Sequence, residues 1–246
     1  MPKLVELYVE QNEIAFLSLN NQPVNALSCN LISDFDSTLQ EIALRDDIKV
    51  LVLKSNLSNF CAGADLKERA QMDNSDVINT INNINNCFDL LSSLEIVTIA
   101  MMNGSSLGGG AELGLCCDFR IGTISSIVGF PEVSMGIIPG AGGTYRLSQL
   151  IGISKAKYWI LSSSKFKGEE AFQDGYFDFI AEEDSLLEAA IDLAEEIACN
   201  PRLSILQGKK AIGIDVIKDS RVRELECYKK TLSSKERISA LKKYIK

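Results

Sequence analysis

Short apolar runs that alternate with helical patterns are the feature of this sequence that most restricts its fold. Residues 50–53 (VLVL) form one continuous apolar run, and residues 96–102 contain a second. Each run follows a segment in which apolar residues recur at helical spacing, over residues 31–43 and residues 77–91. A short continuous apolar run is typical of a parallel strand that helices cover on both faces. The sequence therefore predicts an α/β fold with a mainly parallel sheet.

The remaining segments predict a hairpin at the start of the chain and helices at its end. Residues 3–9 and 13–19 alternate polar and apolar residues around a turn, which is typical of a β-hairpin. Another strand is expected at residues 119–124. Beyond residue 143 only helices are expected, at 144–151, 154–161, 168–175, 185–199, 202–217 and from 222 onward. We therefore predict a core at residues 1–190 and a C-terminal helical region at residues 191–246.

The overall composition argues against several classes of function. The 246 residues are 46% hydrophobic with a net charge of −8, which allows a sizeable core and argues against a nucleic-acid partner. No zinc site is expected, because histidine is absent and the seven cysteines include no CxxC pair. There is no signal-peptide pattern and no apolar stretch of roughly 18 residues, so we expect a cytoplasmic protein with no membrane partner.

Two glutamates in glycine-rich segments are the candidate acid/base residues. Without histidine, proton transfer near neutral pH falls to carboxylates, cysteines, lysines or tyrosines. Glu112 lies in residues 107–113 (LGGGAEL) at a predicted helix start, which favours its ionised form. Glu132 follows Pro131 in an apolar context that should raise its pKa by desolvation. We expect these two environments to push the pKa values of Glu112 and Glu132 apart, as the roles of acid and base require. Either glutamate taken alone fits a structural role as well.

The glycine-rich loops are candidate donors to an oxyanion. Backbone N–H groups of residues 108–110 lie where a strand ends and a helix begins, and residues 62–64 follow another strand. Amides from two strand ends can converge on one carbonyl oxygen, although both loops also fit plain tight turns. Residues 140–144 (GAGGT) have neither the lysine of a P-loop nor GxGxxG spacing, which argues against phosphate binding there.

Four linked motifs together resemble one protein family. They are residues 25–27 (NAL), 60–68 (FCAGADLKE), 103–113 with the LGGGAEL segment, and 131–144, which begins PEV and ends GIIPGAGGT. In order, spacing and intervening length they are similar to an enoyl-CoA hydratase of the crotonase superfamily, over about residues 5–240. The linked set is far more specific than any one motif.

The resemblance implies a spiral of ββα units with two nearly perpendicular sheets. It also implies a C-terminal helical region that makes trimer contacts, within a homotrimer or a hexamer built as a dimer of trimers. The amides of Ala64 and Gly109 would form the oxyanion hole for a thioester carbonyl. Glu112 would activate water and Glu132 would deliver a proton to C2. The implied reaction is syn addition of water across the 2,3 double bond of a trans-2-enoyl-CoA, which gives a 3-hydroxyacyl-CoA.

The same resemblance implies a set of substrate-binding residues. The residues expected to contact the CoA or acyl parts of the substrate are Ala26, Leu27, Ala62, Asp65, Leu66, Lys67, Pro131 and Gly140. Coenzyme A enters as part of the acyl-CoA substrate, and no metal or redox cofactor is expected. The sequence departs from the family pattern at Phe130, whose ring should narrow the acyl pocket. It departs again at Arg237 and at residues 240–241, where a glycine and an alanine-phenylalanine pair are common.

Related reactions remain as alternatives to hydration. A double-bond isomerase, a decarboxylase or a hydrolase of the superfamily would use the same oxyanion hole, but retention of both glutamates favours hydration. A non-catalytic acyl-CoA-binding subunit and the RNA association of one branch of the family are alternatives of other classes. The intact glutamates argue against the first and the acidic net charge argues against the second.

Overall fold

A computed structural model describes residues 3–10, 12–212, 217–233 and 235–244. The strands in these ranges are β1 (Val5–Val9), β2 (Ile14–Leu19), β3 (Val50–Ser55), β4 (Val97–Met102), β5 (Ser105–Leu107), β6 (Phe119–Thr123), β7 (Ile127–Gly129), β8 (Lys165–Lys167) and β9 (Phe179–Ala181). The main sheet has the order β1-β2-β3-β4-β6-β9, in which the β1–β2 hairpin is antiparallel and all other neighbours are parallel. A second sheet has the order β5-β7-β8, in which β5 and β7 are parallel and β8 is antiparallel to β7.

Helices connect the strands and close the chain. They are α1 (Cys29–Ala43), α2 (Leu66–Arg69), α3 (Asn74–Ser93), α4 (Gly109–Gly114), α5 (Gly143–Ile151), α6 (Ile153–Ser162), α7 (Gly168–Asp174), α8 (Leu186–Ala198), α9 (Arg202–Ile212), α10 (Ile217–Thr231) and α11 (Lys235–Leu241). Short 3₁₀ helices occupy Pro131–Met135, Glu183–Ser185 and Lys242–Tyr244. Two of the longer helices begin at side-chain caps: Ser28 accepts a hydrogen bond from the Leu31 amide at α1, and Asp73 accepts one from the Asp76 amide at α3.

Helices cover both faces of the main sheet, which explains its continuous apolar strands. Leu51 and Leu53 of β3 join one buried cluster with α1 and α3, whereas Val50 and Val52 join a second cluster with α8. Burial of each such side chain contributes about 1.5–3 kcal/mol. Because successive side chains of a strand point to opposite faces, a strand covered on both sides needs apolar residues at every position.

The predicted strand and helix alternation is confirmed, and one part of the prediction is wrong. Residues beyond 143 do not form helices only, because β8 and β9 lie among them. Both are three-residue strands stabilised by distant partners, β7 for β8 and β6 for β9, so no local periodicity marks them. The predicted helix at 202–217 is described only as far as Ile212, since residues 213–216 lie outside the described ranges.

The C-terminal helices pack on the preceding part of the chain. Helix α8 lies across the predicted boundary at residue 190, and Leu186, Ala190 and Ala194 pack on the main sheet. Helix α10 packs on α5. The division at residue 190, the trimer contacts and the cytoplasmic location stay predictions. Within the described ranges, no helix combines the length and apolarity that crossing a membrane requires.

Candidate active site

A cavity of about 470 Å³ brings the glycine-rich loops and both candidate glutamates together. Its walls come mainly from the loops after β3 and β5, the segment 131–141, one face of α3 and the C-terminal helices. Most of the lining is apolar, and its charged side chains include Glu112, Glu132 and Arg69. Such a concave site with few polar groups is typical of small-molecule binding.

The backbone amides of Ala64 and Gly109 lie close together in this cavity. A Cβ placed on Gly109 would lie 3.7 Å from the Ala64 nitrogen and 2.8 Å from Leu27 Cδ1, so a side chain here would crowd the loop. A parallel bridge between Cys61 and Ser106 joins the two loops that carry these amides. Among the residues that the structure describes, neither amide has a hydrogen-bond acceptor. Two neighbouring donors without partners are suited to hold one ligand oxygen, and their role as an oxyanion hole stays a prediction.

Glu112 is buried on α4 and is held by backbone groups. Its Oε1 accepts hydrogen bonds from the amides of Ala141 and Gly143, each at 2.8 Å. No residue in the described ranges donates to its Oε2. Because Glu112 lines the cavity, one carboxylate oxygen is fixed by the protein and the other is available to a ligand or water.

Glu132 reaches the same cavity from the short 3₁₀ helix that starts at Pro131. Its side chain lies against Gly108, where a Cβ would be 2.5 Å from Glu132 Oε1. Gly108 also has a φ of +52°, so both space and backbone conformation require glycine there. The Oε2 atom of Glu132 is buried without a hydrogen-bond partner in the described part of the chain. No group in the described part of the chain therefore accepts a proton from this oxygen.

Burial raises the pKa of both carboxyl groups. Desolvation is the largest cause at Glu112, and the negative charges of Glu132 and Glu224 add to it, while the amide hydrogen bonds to Oε1 act in the opposite direction. Desolvation raises the pKa of Glu132 to about 7, and the charge of Glu224 adds to this rise. The prediction for Glu132 is confirmed in direction. The expectation that the helix start would favour ionised Glu112 is wrong, because complete burial outweighs the effect of so short a helix.

The raised pKa of Glu132 predicts a stability that depends on pH. Between pH 4.5 and about 7 this carboxyl group stays protonated in the folded protein but ionises in the unfolded chain. The unfolding free energy should therefore fall as the pH rises through this window. We expect Glu132→Gln to be more stable than wild type by roughly 3 kcal/mol at about pH 8 and equally stable at about pH 4. Urea unfolding at both pH values measures this, and a difference that does not change with pH would contradict the assignment.

The structure brings five of the eight predicted substrate-binding residues to the cavity wall. These are Leu27, Ala62, Leu66, Pro131 and Gly140. The other three, Ala26, Asp65 and Lys67, do not line it. Asp65 caps α2 by accepting hydrogen bonds from the amides of Lys67 and Glu68, and the Lys67 side chain is exposed. Contacts between these three residues and CoA stay predictions.

Of two positions that depart from the family pattern, Phe130 and Arg237, only Arg237 lines the cavity. Phe130 is fully buried in the main core and does not line the cavity, so the expectation that its ring narrows the acyl pocket is wrong. The ring packs beside Gly143, behind the loop that holds Glu112. Arg237 does line the cavity, and its Nη1 donates to the carbonyl oxygen of Leu232 at 2.7 Å.

Sequence reasoning missed several cavity residues that carry no motif. Arg69 lies in the charged run after Asp65, and its guanidinium group is buried in the cavity wall. Tyr228 of α10, which is distant from Arg69 in sequence, also lines the cavity. Glu224 of the same helix is buried behind residues 140–144. An ionisable residue on a predicted amphipathic helix is normally read as solvent-facing, so only the tertiary packing identifies these positions.

The chain is similar to known proteins over nearly its whole length. A family model described as enoyl-CoA hydratase/isomerase matches residues 9–245. A Mycosarcoma maydis protein named enoyl-CoA isomerase/hydratase fer4 is 38% identical over 230 residues, which cover 88% of this chain and 84% of that protein. The mitochondrial methylglutaconyl-CoA hydratase of Mus musculus is 34% identical over 242 residues, which cover 94% of this chain and 77% of that protein.

A solved structure supports the same relationship. The crystal structure of an enoyl-CoA hydratase from Bacillus anthracis matches with a TM-score of 0.84 and 33% sequence identity. The match covers 98% of this chain and 95% of that chain. The predicted fold class, a crotonase-like α/β fold with C-terminal helices, is confirmed.

Proposed function

Because the chain belongs to the enoyl-CoA hydratase/isomerase family, we propose that it adds water syn across the 2,3 double bond of a trans-2-enoyl-CoA. The product is a 3-hydroxyacyl-CoA. The observation that carries this proposal is the convergence of two carboxylates, Glu112 and Glu132, with the amides of Ala64 and Gly109 on one cavity. Amides that hold the thioester oxygen make C3 electrophilic, and they stabilise the enolate-like charge that develops when water adds.

The two carboxylates differ in the partners of their oxygens, which supports distinct roles. Glu112 accepts two amide hydrogen bonds, which favour its ionised form, whereas Glu132 Oε2 accepts none. Burial raises the pKa of both carboxyl groups, and the reactive state proposed here is the one in which the pair holds a single proton, on Glu132. Ionised Glu112 then takes a proton from the water that attacks C3, and protonated Glu132 gives its proton to C2. The proton that Glu112 gains must then pass to Glu132 through water, which restores the starting state, so the net change is one added water. No metal or redox cofactor takes part in these steps.

A direct assay of the purified protein tests this proposal against isomerisation. Hydration of crotonyl-CoA removes the conjugated thioester absorbance, so the wild-type protein should show a steady loss of that signal. An isomerase would instead convert a 3-enoyl-CoA to the conjugated 2-enoyl-CoA and increase the signal. Tight CoA binding with neither activity would overturn hydration and favour a non-catalytic acyl-CoA-binding subunit.

A buried arginine favours a more specific class of acyl group. Arg69 is buried in the cavity wall, and its one hydrogen bond within the described chain goes to the carbonyl oxygen of Val77 at 3.1 Å. No carboxylate in the described ranges pairs with it. Desolvation lowers its pKa, and the nearby charge of Arg237 contributes to the same shift. A buried cation without an anionic partner is costly, so a ligand carboxylate would stabilise it.

We therefore propose, as a second and narrower candidate, an enoyl-CoA whose acyl group ends in a carboxylate. The name of the Mus musculus relative denotes such an acyl group. Glutaconyl-CoA, which has a terminal carboxylate, and crotonyl-CoA, which has none, are the matched substrates for this test. Both share the same thioester and double bond, so a difference between them reports on the far end of the acyl chain.

The Arg69→Met variant should lose specificity for the acidic substrate. We expect its kcat/KM for glutaconyl-CoA to fall about 100-fold, since a charged partner is removed, and its kcat/KM for crotonyl-CoA to stay within about threefold. The Arg69→Lys variant, which keeps the charge, should lose less. Equal losses with both substrates would place Arg69 at the CoA part instead. A wild-type preference for crotonyl-CoA would also defeat the acidic-substrate candidate, without affecting hydration itself.

A further inference from the structure

The loop at residues 140–144 presents alternate backbone amides to its two sides. On the cavity side, the amides of Ala141 and Gly143 donate to Glu112 Oε1 at 2.8 Å each. These bonds orient the carboxylate that the proposed reaction uses as a base. The position of Glu112 therefore depends on the conformation of this loop.

A second buried carboxylate holds the same loop from the other side. The amide of Gly142 donates to Glu224 Oε1 at 2.8 Å, and the amide of Thr144 donates to Glu224 Oε2 at 3.0 Å. The Thr144 hydroxyl group also donates to Glu224 Oε2. Glu224 belongs to α10, which is distant in sequence, and is only 4% exposed. Four amides in a row are thus shared between two carboxylates.

We propose that Glu224 is a positioning residue that fixes the loop and, through it, the orientation of Glu112. This inference rests on the proposed hydratase function for its kinetic consequences but not for its structural ones. Glu224 touches neither the cavity nor the reacting atoms, so it acts through the loop. The C-terminal helix α10 thereby becomes part of the support of the active site rather than only a packing element.

The hydrogen-bond chemistry explains why a carboxylate suits this position. A carboxylate has only acceptor oxygens, and all three groups that approach Glu224 are donors. In Glu224→Gln, the side-chain amide must turn its NH₂ group toward one of these donors. In Glu224→Ala, the amides of Gly142 and Thr144 lose their acceptor altogether. Either change leaves buried donors unsatisfied and allows the loop to shift.

The charge of Glu224 has a separate effect that can be measured. Its negative charge raises the pKa of Glu112 and of Glu132. Removal of that charge should lower the pKa of Glu132, so the decline in rate at high pH should move to lower pH. Burial raises the pKa of Glu224 itself, and its hydrogen bonds with Thr144 and Gly142 and the charge of Arg146 of α5 oppose this rise. Tyr228 of α10 is a further ionisable group that interacts with Glu112 and Glu132.

Three substitutions separate the geometric effect from the electrostatic one. Glu224→Ala should lower kcat by about 100-fold with KM within about twofold, because a misplaced catalytic group costs rate more than binding. Glu224→Gln should lower kcat by about tenfold and shift the pH profile. Glu224→Asp keeps the charge but is shorter, so it should lower kcat without moving the profile. Steady-state kinetics across a pH series measures all three.

A matched control on the same helix tests whether weaker docking of α10 alone would explain the loss of kcat in Glu224→Ala. Arg221 of α10 pairs with Asp89 Oδ2 at 2.6 Å and donates to Asn86 Oδ1, so it fastens α10 to α3 without touching the loop. Arg221→Gln should lower the thermal stability but leave kcat and the pH profile unchanged. If Glu224→Ala behaves like Arg221→Gln, Glu224 only docks the helix and the inference fails.

Hydrogen exchange followed by NMR tests the coupling independently of any activity. In Glu224→Ala, the amides of Gly142 and Thr144 lose their acceptor and should exchange faster. The inference further requires that Ala141 and Gly143, which bind Glu112, also exchange at least about tenfold faster. Unchanged protection of these two amides would overturn it, even if the wild-type protein hydrates no enoyl-CoA. An inactive wild type with coupled exchange would defeat only the proposed hydratase function.

Discussion

The Glu132→Gln variant is expected to retain about one thousandth of the wild-type kcat for hydration, because the group that protonates C2 is lost. Glutamine keeps the shape of the side chain, and Glu132 Oε2 makes no hydrogen bond within the described chain that the amide would break. The loss should therefore be in kcat, with KM nearly unchanged. Initial rates of crotonyl-CoA consumption measure both parameters.

Two controls make this result specific to proton donation. Glu169→Gln replaces an exposed glutamate in α7 and should leave the kinetics unchanged. Glu132→Asp retains an ionisable group and should recover part of the rate. The Glu132→Gln variant should also lose the decline in rate above about pH 7, since that decline reports ionisation of the acid. A variant that keeps a tenth or more of the wild-type kcat would remove Glu132 from the mechanism.

The Glu112→Gln variant is expected to lose a similar factor, about 10³-fold in kcat, for a different reason. The side-chain oxygen of glutamine can still accept the hydrogen bonds from Ala141 and Gly143, so the loop should keep its conformation. The variant lacks the base that activates water, because an amide does not take up a proton near neutral pH. The same absorbance assay measures the loss, and retained amide protection at these two positions shows that the loop is intact.

Combining the two substitutions tests whether the carboxylates act as one unit. If Glu112 and Glu132 cooperate on a single water addition, the double variant should be no more than about tenfold slower than either single variant. Losses that multiply fully would mean that the two groups act in independent steps. Such a result would contradict the shared-proton mechanism while leaving the importance of each residue in place.

Several features of the site could be predicted from sequence, because their signals are local. The strands β3 and β4 appear as continuous apolar runs, and α1 and α3 appear as helical periodicities. The glycines before α4 and the proline before Glu132 mark two segments that line the cavity. The family resemblance then added the pairing of Ala64 with Gly109, which no local pattern contains.

Other features could not be predicted, because they depend on contacts between distant segments. Arg69 and Glu224 are ordinary charged residues in sequence, and only the packing of α2 and α10 buries them. The short strands β8 and β9 exist because they pair with β7 and β6. The pKa of Glu112 could not be predicted for the same reason. Its position at a helix start predicted a lowered pKa, whereas burial and the charges of Glu132 and Glu224 raise it.

The sequence by itself determined the alternation of strands and helices and the identity of the two candidate carboxylates, because periodicity and motif spacing are properties of neighbouring residues. The tertiary structure alone decided which groups meet. It placed two amides from different loops side by side, buried Glu132 so that its pKa rises to about 7, and set Glu224 against the loop that orients Glu112. Burial and hydrogen bonding depend on every segment that surrounds a group, so they arise only when the whole chain is folded.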